Sequence, residues 1–203
     1  MAGETRTAKE AHKMGVRDTP PMLAYTIRSP VNTQAISYIR IGQGNSSKVV
    51  KPNQPADNSY WIVILDANNP TTKVHEWVIP GMSNTTVPSD LDQYMHNPAY
   101  LFAVVTQLLS GSCVPQGAFY DYLAEHGAGR ELQKLEQVSS NTQTGYGLYS
   151  LVSYILTGQG GPPGTPAYER GGMSDSALLL MSLMPLPSGQ PPYSIVDTYT
   201  FIK

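Results

Sequence analysis

Three apolar runs constrain the fold of this chain more than any other feature: "YWIVIL" at 60–65, "YLFAVV" at 100–105 and "LYSLVSYIL" at 148–156. A half-buried strand alternates apolar and polar residues with a period of two, and an amphipathic helix repeats near 3.6. These runs do neither, and they are too short for buried helices. They read as central strands covered on both faces. The helical segments between them are too short and irregular for regular βαβ winding. The expected fold class is therefore α+β: a β-rich sandwich of two mainly antiparallel sheets with about three short helices on one side or end.

The rest of the chain fits around those strands. Residues 1–20 are polar and end in Pro20-Pro21, which predicts an N-terminal arm, with a single globular domain over 21–203. "MLAYTIRS" and "AISYIRIGQ" predict two short strands. After 60–65 the turn "ANNPTT" leads into "KVHEWVI", whose period of two puts Val74, Glu76 and Val78 on one face and Lys73, His75, Trp77 and Ile79 on the other. "VPSDLDQYMHNP" predicts a short helix with Ser89 as its N-cap and Leu91, Tyr94 and Met95 as its buried stripe. Two further helical pieces carry Phe119, Tyr122 and Leu123, ended by Gly127, and then Leu132, Leu135 and Val138. "TGQGGPPGTPAYERGG" reads as a long Gly/Pro loop. "SALLLMSLMPL" and "YSIVDTYTFI" close the chain as strands, for a total of about eight. Their apolar edge is a candidate surface for self-association into a homo-oligomer.

Composition narrows the function classes. Net charge is −2 and no basic block occurs, so nucleic acid is not an expected partner. No run reaches the roughly 18 apolar residues of a membrane helix. The first residues, "MAGETRTAKEAHKMG", lack a hydrophobic signal region. The expectation is a soluble protein, cytoplasmic or released without a classical signal peptide. Charged residues make up only 14%, while Gly (18), Pro (17) and Tyr (13) abound, a palette suited to adhesive or sugar-binding surfaces.

Chemistry-bearing patterns are sparse. Cys113 is the only cysteine, which rules out an internal disulfide, and "LLSGSCVPQG" carries no nucleophile signature. His75 and Glu76 are neighbours on a strand and face opposite ways. His12, His96 and His126 lack the close spacing of a zinc site, and His126 at a helix end suits the helix dipole. There is no G-x-S-x-G, and "GQGGPPG" has no following G-K-[ST]. The acidic pairs Asp90/Asp92 and Asp121/Glu125 sit at spacings that commonly decorate a solvent face. No catalytic residue, cofactor or metal is expected from the sequence.

The leading expectation is a non-enzymatic recognition module binding a carbohydrate or a protein surface. Its candidate contacts are His75 and Trp77 on the second strand of the hairpin, and Tyr168, Glu169 and Arg170 in "TPAYERGG". Trp77 is an amphipathic platform for a sugar ring on one reading and core on the other. Trp77 and Ile79 offer more apolar area than Val74 and Val78, so the face carrying His75, Trp77 and Ile79 is expected to point inward. Glu76, if buried, needs a donor such as Arg28, Arg40 or Arg130. The rival class is a hydrolase assembled from the separated residues His75, Glu76, Asp121, His126 and Cys113.

The segments "YWIVILDANNPTTKVHEWVI", "SDLDQYM", "YLFAVVTQ", "FYDYL", "GRELQKLE" and "YGLYSLVSYILTGQGG", taken in order, resemble the ILEI-type domain. That is the small module of the interleukin-like epithelial–mesenchymal transition inducers, similar to the stem domain of the protein O-mannose N-acetylglucosaminyltransferase. The resemblance covers about residues 60–161, leaving 162–203 as a C-terminal extension of loop and strands, and it implies a non-catalytic, sugar- or protein-binding module. Two features depart from the family. Its animal members are secreted and disulfide-linked, whereas this chain has one cysteine, and the family's acidic loop after the second central strand here reads "LLSGSCVPQG".

Overall fold

A computed structural model of the chain describes residues 21–140, 150–185 and 192–197. The expected N-terminal arm over 1–20, the start of the third apolar run and the last six residues lie outside them. The expected α+β sandwich is what the structure shows, in three layers. One sheet has five strands in the order β11-β10-β1-β2-β3: β11 Tyr193–Val196, β10 Ala177–Pro185, β1 Leu23–Ser29, β2 Tyr38–Ile41 and β3 Lys48–Val50. The second runs β5-β4-β6-β8-β7, with β9 on the other side of β8: β5 Lys73–Pro80, β4 Ser59–Asp66, β6 Tyr100–Gln107, β8 Leu151–Gln159, β7 Leu109–Ser110 and β9 Ala167–Met173. Every described pairing is antiparallel.

The three apolar runs form the middle of the second sheet, and the two periods of each strand feed two cores. Trp61, Val63 and Leu65 of β4, Leu101, Ala103 and Val105 of β6 and Ile155 of β8 pack against Tyr25, Ile27, Ile39 and Ile41 of the first sheet. The alternate residues Tyr60, Ile62, Ile64, Phe102, Val104, Tyr154 and Leu156 pack on the opposite face under a helical layer. That layer comprises α1 Asp92–Met95, α2 Gly117–Glu125 and α3 Arg130–Ser140, which contribute Leu132 and Leu135 and, with the residues around α1, Leu91 and Met95, as well as Phe119 and Leu123. Burial on both faces is why these strands carry no polar alternation.

Several local expectations are corrected. The described residues contain eleven strands rather than eight, and Tyr168, Glu169 and Arg170 belong to a strand, β9, not to a loop. The glycines that suggest a loop there serve close packing: a Cβ at Gly172 would lie 2.9 Å from both the Asp175 carbonyl and the Ser153 hydroxyl. Ser89 does not cap α1, which begins after Leu91 with no side-chain cap. Gly127 does end α2, at φ +93°. The side chain of Val138 lies outside the described residues.

Register in the opening hairpin also differs from strict alternation. Ile64 pairs with His75, but Leu65 pairs with Lys73, so one residue is bulged out around Val74, which is 40% exposed. The bulge moves Lys73 to the face of Glu76, where its ammonium lies 2.8 Å from the carboxylate. Glu76 does face the sandwich, opposite Val63. The face of Glu76 is therefore not the open one that an inward His75–Trp77–Ile79 face implied, and its donors are Lys73, the Trp61 indole at 2.9 Å and the backbone N–H of Asn53 at 3.0 Å, not Arg28, Arg40 or Arg130.

Candidate functional site

The other face of β5 carries His75, Trp77 and Ile79 toward the helical layer, as the hairpin alternation predicted. They do not reach the interior. Because β5 is the edge of its sheet and α1 is barely one turn long, the cover over them is incomplete, and all three stay half-buried. Tyr94 from α1 and Tyr100 from the start of β6 complete the group. His75 meets Trp77 edge-on at 4.3 Å between ring centroids and stacks on Tyr94 at 5.6 Å and 10°. Tyr94 in turn contacts Trp77 at 5.8 Å and Tyr100 at 5.3 Å, both edge-on. Such offset and edge contacts fix the ring planes more firmly than apolar contact alone.

Asp90, just ahead of α1, supplies the polar element. Its carboxylate accepts the Trp77 indole N–H at 3.2 Å, and its other oxygen lies 3.9 Å from His75 Nε2. Half of its side chain remains exposed, leaving lone pairs for another donor. The result is a half-exposed patch of four ring systems with one anchored carboxylate at its rim. Among these, His75 and Trp77 are the residues marked by sequence. By sequence Asp90, Tyr94 and Tyr100 are a helix-start acid, a buried-stripe residue and a strand start; the spacing "DLDQYMHNPAY" holds them, but only the fold of α1 over β5 shows that they join His75 and Trp77.

Tyr168, Glu169 and Arg170 lie elsewhere, on β9, with β4, β6 and β8 between them and His75 and Trp77 on β5. The three do not act together either. Glu169 faces the helices, where its carboxylate accepts the backbone N–H groups of Glu131 and Leu132 at 2.7 and 3.2 Å and the Tyr154 hydroxyl at 3.0 Å. It satisfies the open N-terminus of α3. Burial and the Glu169 carboxylate together hold the Tyr154 hydroxyl protonated far above the usual tyrosine range. Tyr168 and Arg170 face the sandwich side, where Tyr168 packs on the core and both line a groove of about 510 Å³ with Leu178, Leu180 and Asp197.

The five residues of the hydrolase alternative are not gathered. Among the described residues no hydrogen bond or ion pair joins any two of His75, Glu76, Asp121, His126 and Cys113. The Cys113 thiol is buried against Met82, Asn58 and Ser112, and its carbonyl accepts the Tyr60 hydroxyl. No helix among the described residues is long and apolar enough to cross a membrane. The fold and the patch define a three-layer β/β/α domain with an aromatic surface at one sheet edge. No protein-family model matches the chain, and no curated protein matches it.

Proposed function

We propose that the protein is a non-enzymatic carbohydrate-recognition module whose binding surface is the patch of His75, Trp77, Tyr94 and Tyr100 with Asp90 at its rim. One observation carries this reading: Trp77 is held half-exposed, with its indole N–H already engaged by a half-exposed carboxylate. A sugar ring presents an apolar C–H face and a rim of hydroxyls, and an aromatic face beside a free carboxylate oxygen complements both. A half-exposed surface patch suits an oligosaccharide chain better than a small molecule, which is usually enclosed in a concave pocket. The proposal includes kinship with the ILEI-type domain, resting on the order β4, β5, α1, β6, α2, α3 and β8 across residues 60–161.

The test is a glycan array with the folded chain, followed by calorimetric titration of the best ligand against Trp77→Ala and Asp90→Asn. Binding is expected to be lost in the first variant and weakened about ten- to 150-fold in the second, the size of one hydrogen bond to a charged group. An array without signal, together with a protein pull-down captured equally by wild type and Trp77→Ala, overturns the reading. A pull-down lost only in Trp77→Ala moves the same patch to a protein ligand.

A further inference from the structure

One buried imidazole nitrogen among the described residues, His126 Nε2, has no hydrogen-bond partner, and the ring of Tyr122 is its neighbour at 4.4 Å. Buried polar atoms are nearly always satisfied, so this buried nitrogen calls for a missing partner. A second histidine stands beside them: the ring of His96 lies 5.0 Å from that of His126, at 58°. The two histidines are equivalent in position. Each follows directly after a helix, and each sets its Nδ1 against the carbonyl four residues back, Asp92 O at 3.2 Å for His96 and Tyr122 O at 2.9 Å for His126. A carbonyl only accepts, so Nδ1 carries the hydrogen in both rings. In the neutral ring Nε2 then holds the lone pair, which is how backbone carbonyls orient metal-binding imidazoles.

The surroundings favour a cation. The C-terminus of α2, which His126 caps, presents partial negative charge. We propose that His96 and His126 bind a divalent transition-metal ion of the imidazole-preferring class, Cu²⁺ most tightly and Zn²⁺ less so. Two imidazoles at ordinary metal–nitrogen distances place their ring centroids roughly 4.5–6 Å apart, which spans the separation seen. No three His, Cys, Asp or Glu side chains among the described residues form a complete cage. Water therefore fills the remaining positions. His96, with a side chain 41% exposed, is the wall through which the ion enters.

The site shares no side chain with the aromatic patch, so it stands or falls apart from carbohydrate binding. The experiment uses the full chain, freed of any affinity tag and stripped with a chelator. Cu²⁺ and Zn²⁺ are titrated in by calorimetry, and the Cu²⁺ sample is examined by electron paramagnetic resonance. The expected result is one equivalent of Cu²⁺ per chain, with hyperfine structure from two imidazole nitrogens. His96→Ala, at an exposed position, should keep the metal-free melting temperature and lose affinity by about tenfold or more, while His75→Ala should bind as wild type does. His126→Gln should remove the two-nitrogen signature. A buried water only, meaning no stoichiometric uptake, overturns the proposal, as does uptake unchanged in both His96→Ala and His126→Gln.

Discussion

Glu76 shows how one residue can be placed by its donors and not by its hydrophobic neighbours. Its side chain is 13% exposed on the sandwich face of β5. Burial there pushes its carboxyl upward, but Lys73, the Asn53 N–H and the Trp61 indole outweigh that and hold it below the ordinary glutamate value. A carboxyl depressed in the folded state contributes stability that is present above its unfolded value, near 4.5, and is lost as pH falls through the lower folded value. The wild type should therefore lose melting temperature more steeply below about pH 4.5 than Glu76→Gln, which has no such proton to take up. Equal slopes in the two proteins would show that Glu76 is not the responsible group. Glu76→Ala goes further and leaves the buried Trp61 N–H without an acceptor, at a cost of about 1–3 kcal/mol in denaturant titration. Trp77→Ala, at a half-buried position, should cost less than the ~3–5 kcal/mol of a fully buried aromatic, about 1–3 kcal/mol. A larger loss would mean that Trp77 is chiefly a packing residue.

At the scale of elements, legibility followed burial. β4, β6 and β8 could be read because nothing in "YWIVIL" or "YLFAVV" offers a solvent face, and the structure covers both sides. β9 could not, since Gly171 and Gly172 look like breakers when Gly171 in fact lies against Leu135 and Glu131 of α3 and Gly172 admits Asp175 and Ser153 at close range. The bulge at Val74 was equally hidden: alternation fixes faces only while pairing stays in step, and the slip lies between Ile64 and Leu65 on the partner strand. The site was half legible. His75 and Trp77 are marked by their strand, whereas Asp90, Tyr94 and Tyr100 reach them only through tertiary packing. The His96–His126 pair was illegible for the same reason, because thirty residues separate two rings that share one contact. Glu169 illustrates the converse, a charged residue in a promising stretch that is spent on holding α3. Glu169→Ala should destabilise by about 1–2 kcal/mol and raise amide exchange chiefly at Glu131 and Leu132. Unchanged exchange at those two amides would show that α3 does not need it.

The whole molecule is organised by one sheet that belongs to two cores at once. Leu65 and Ile64 are adjacent in β4 and both fully buried, yet Leu65 packs against the five-stranded sheet and Ile64 under the helices. A strand cannot lose one set of neighbours without disturbing the register that positions the other. The sandwich and the helical layer should accordingly unfold as one cooperative unit, although they share no hydrophobic cluster. Leu65→Ala and Ile64→Ala should each cost about 2–5 kcal/mol, and each should lower the stability of both layers equally. Two probes separate the layers. Trp61 fluorescence in a Trp77→Phe background reports the sandwich, and amide exchange in α2 and α3 reports the helical layer. In both core variants the fluorescence midpoint and the most protected helical amides should report the same free energy. Helical amides that exchange freely in Ile64→Ala while Trp61 keeps its native emission would instead make the helical layer a separate, weaker unit resting on a self-sufficient sandwich.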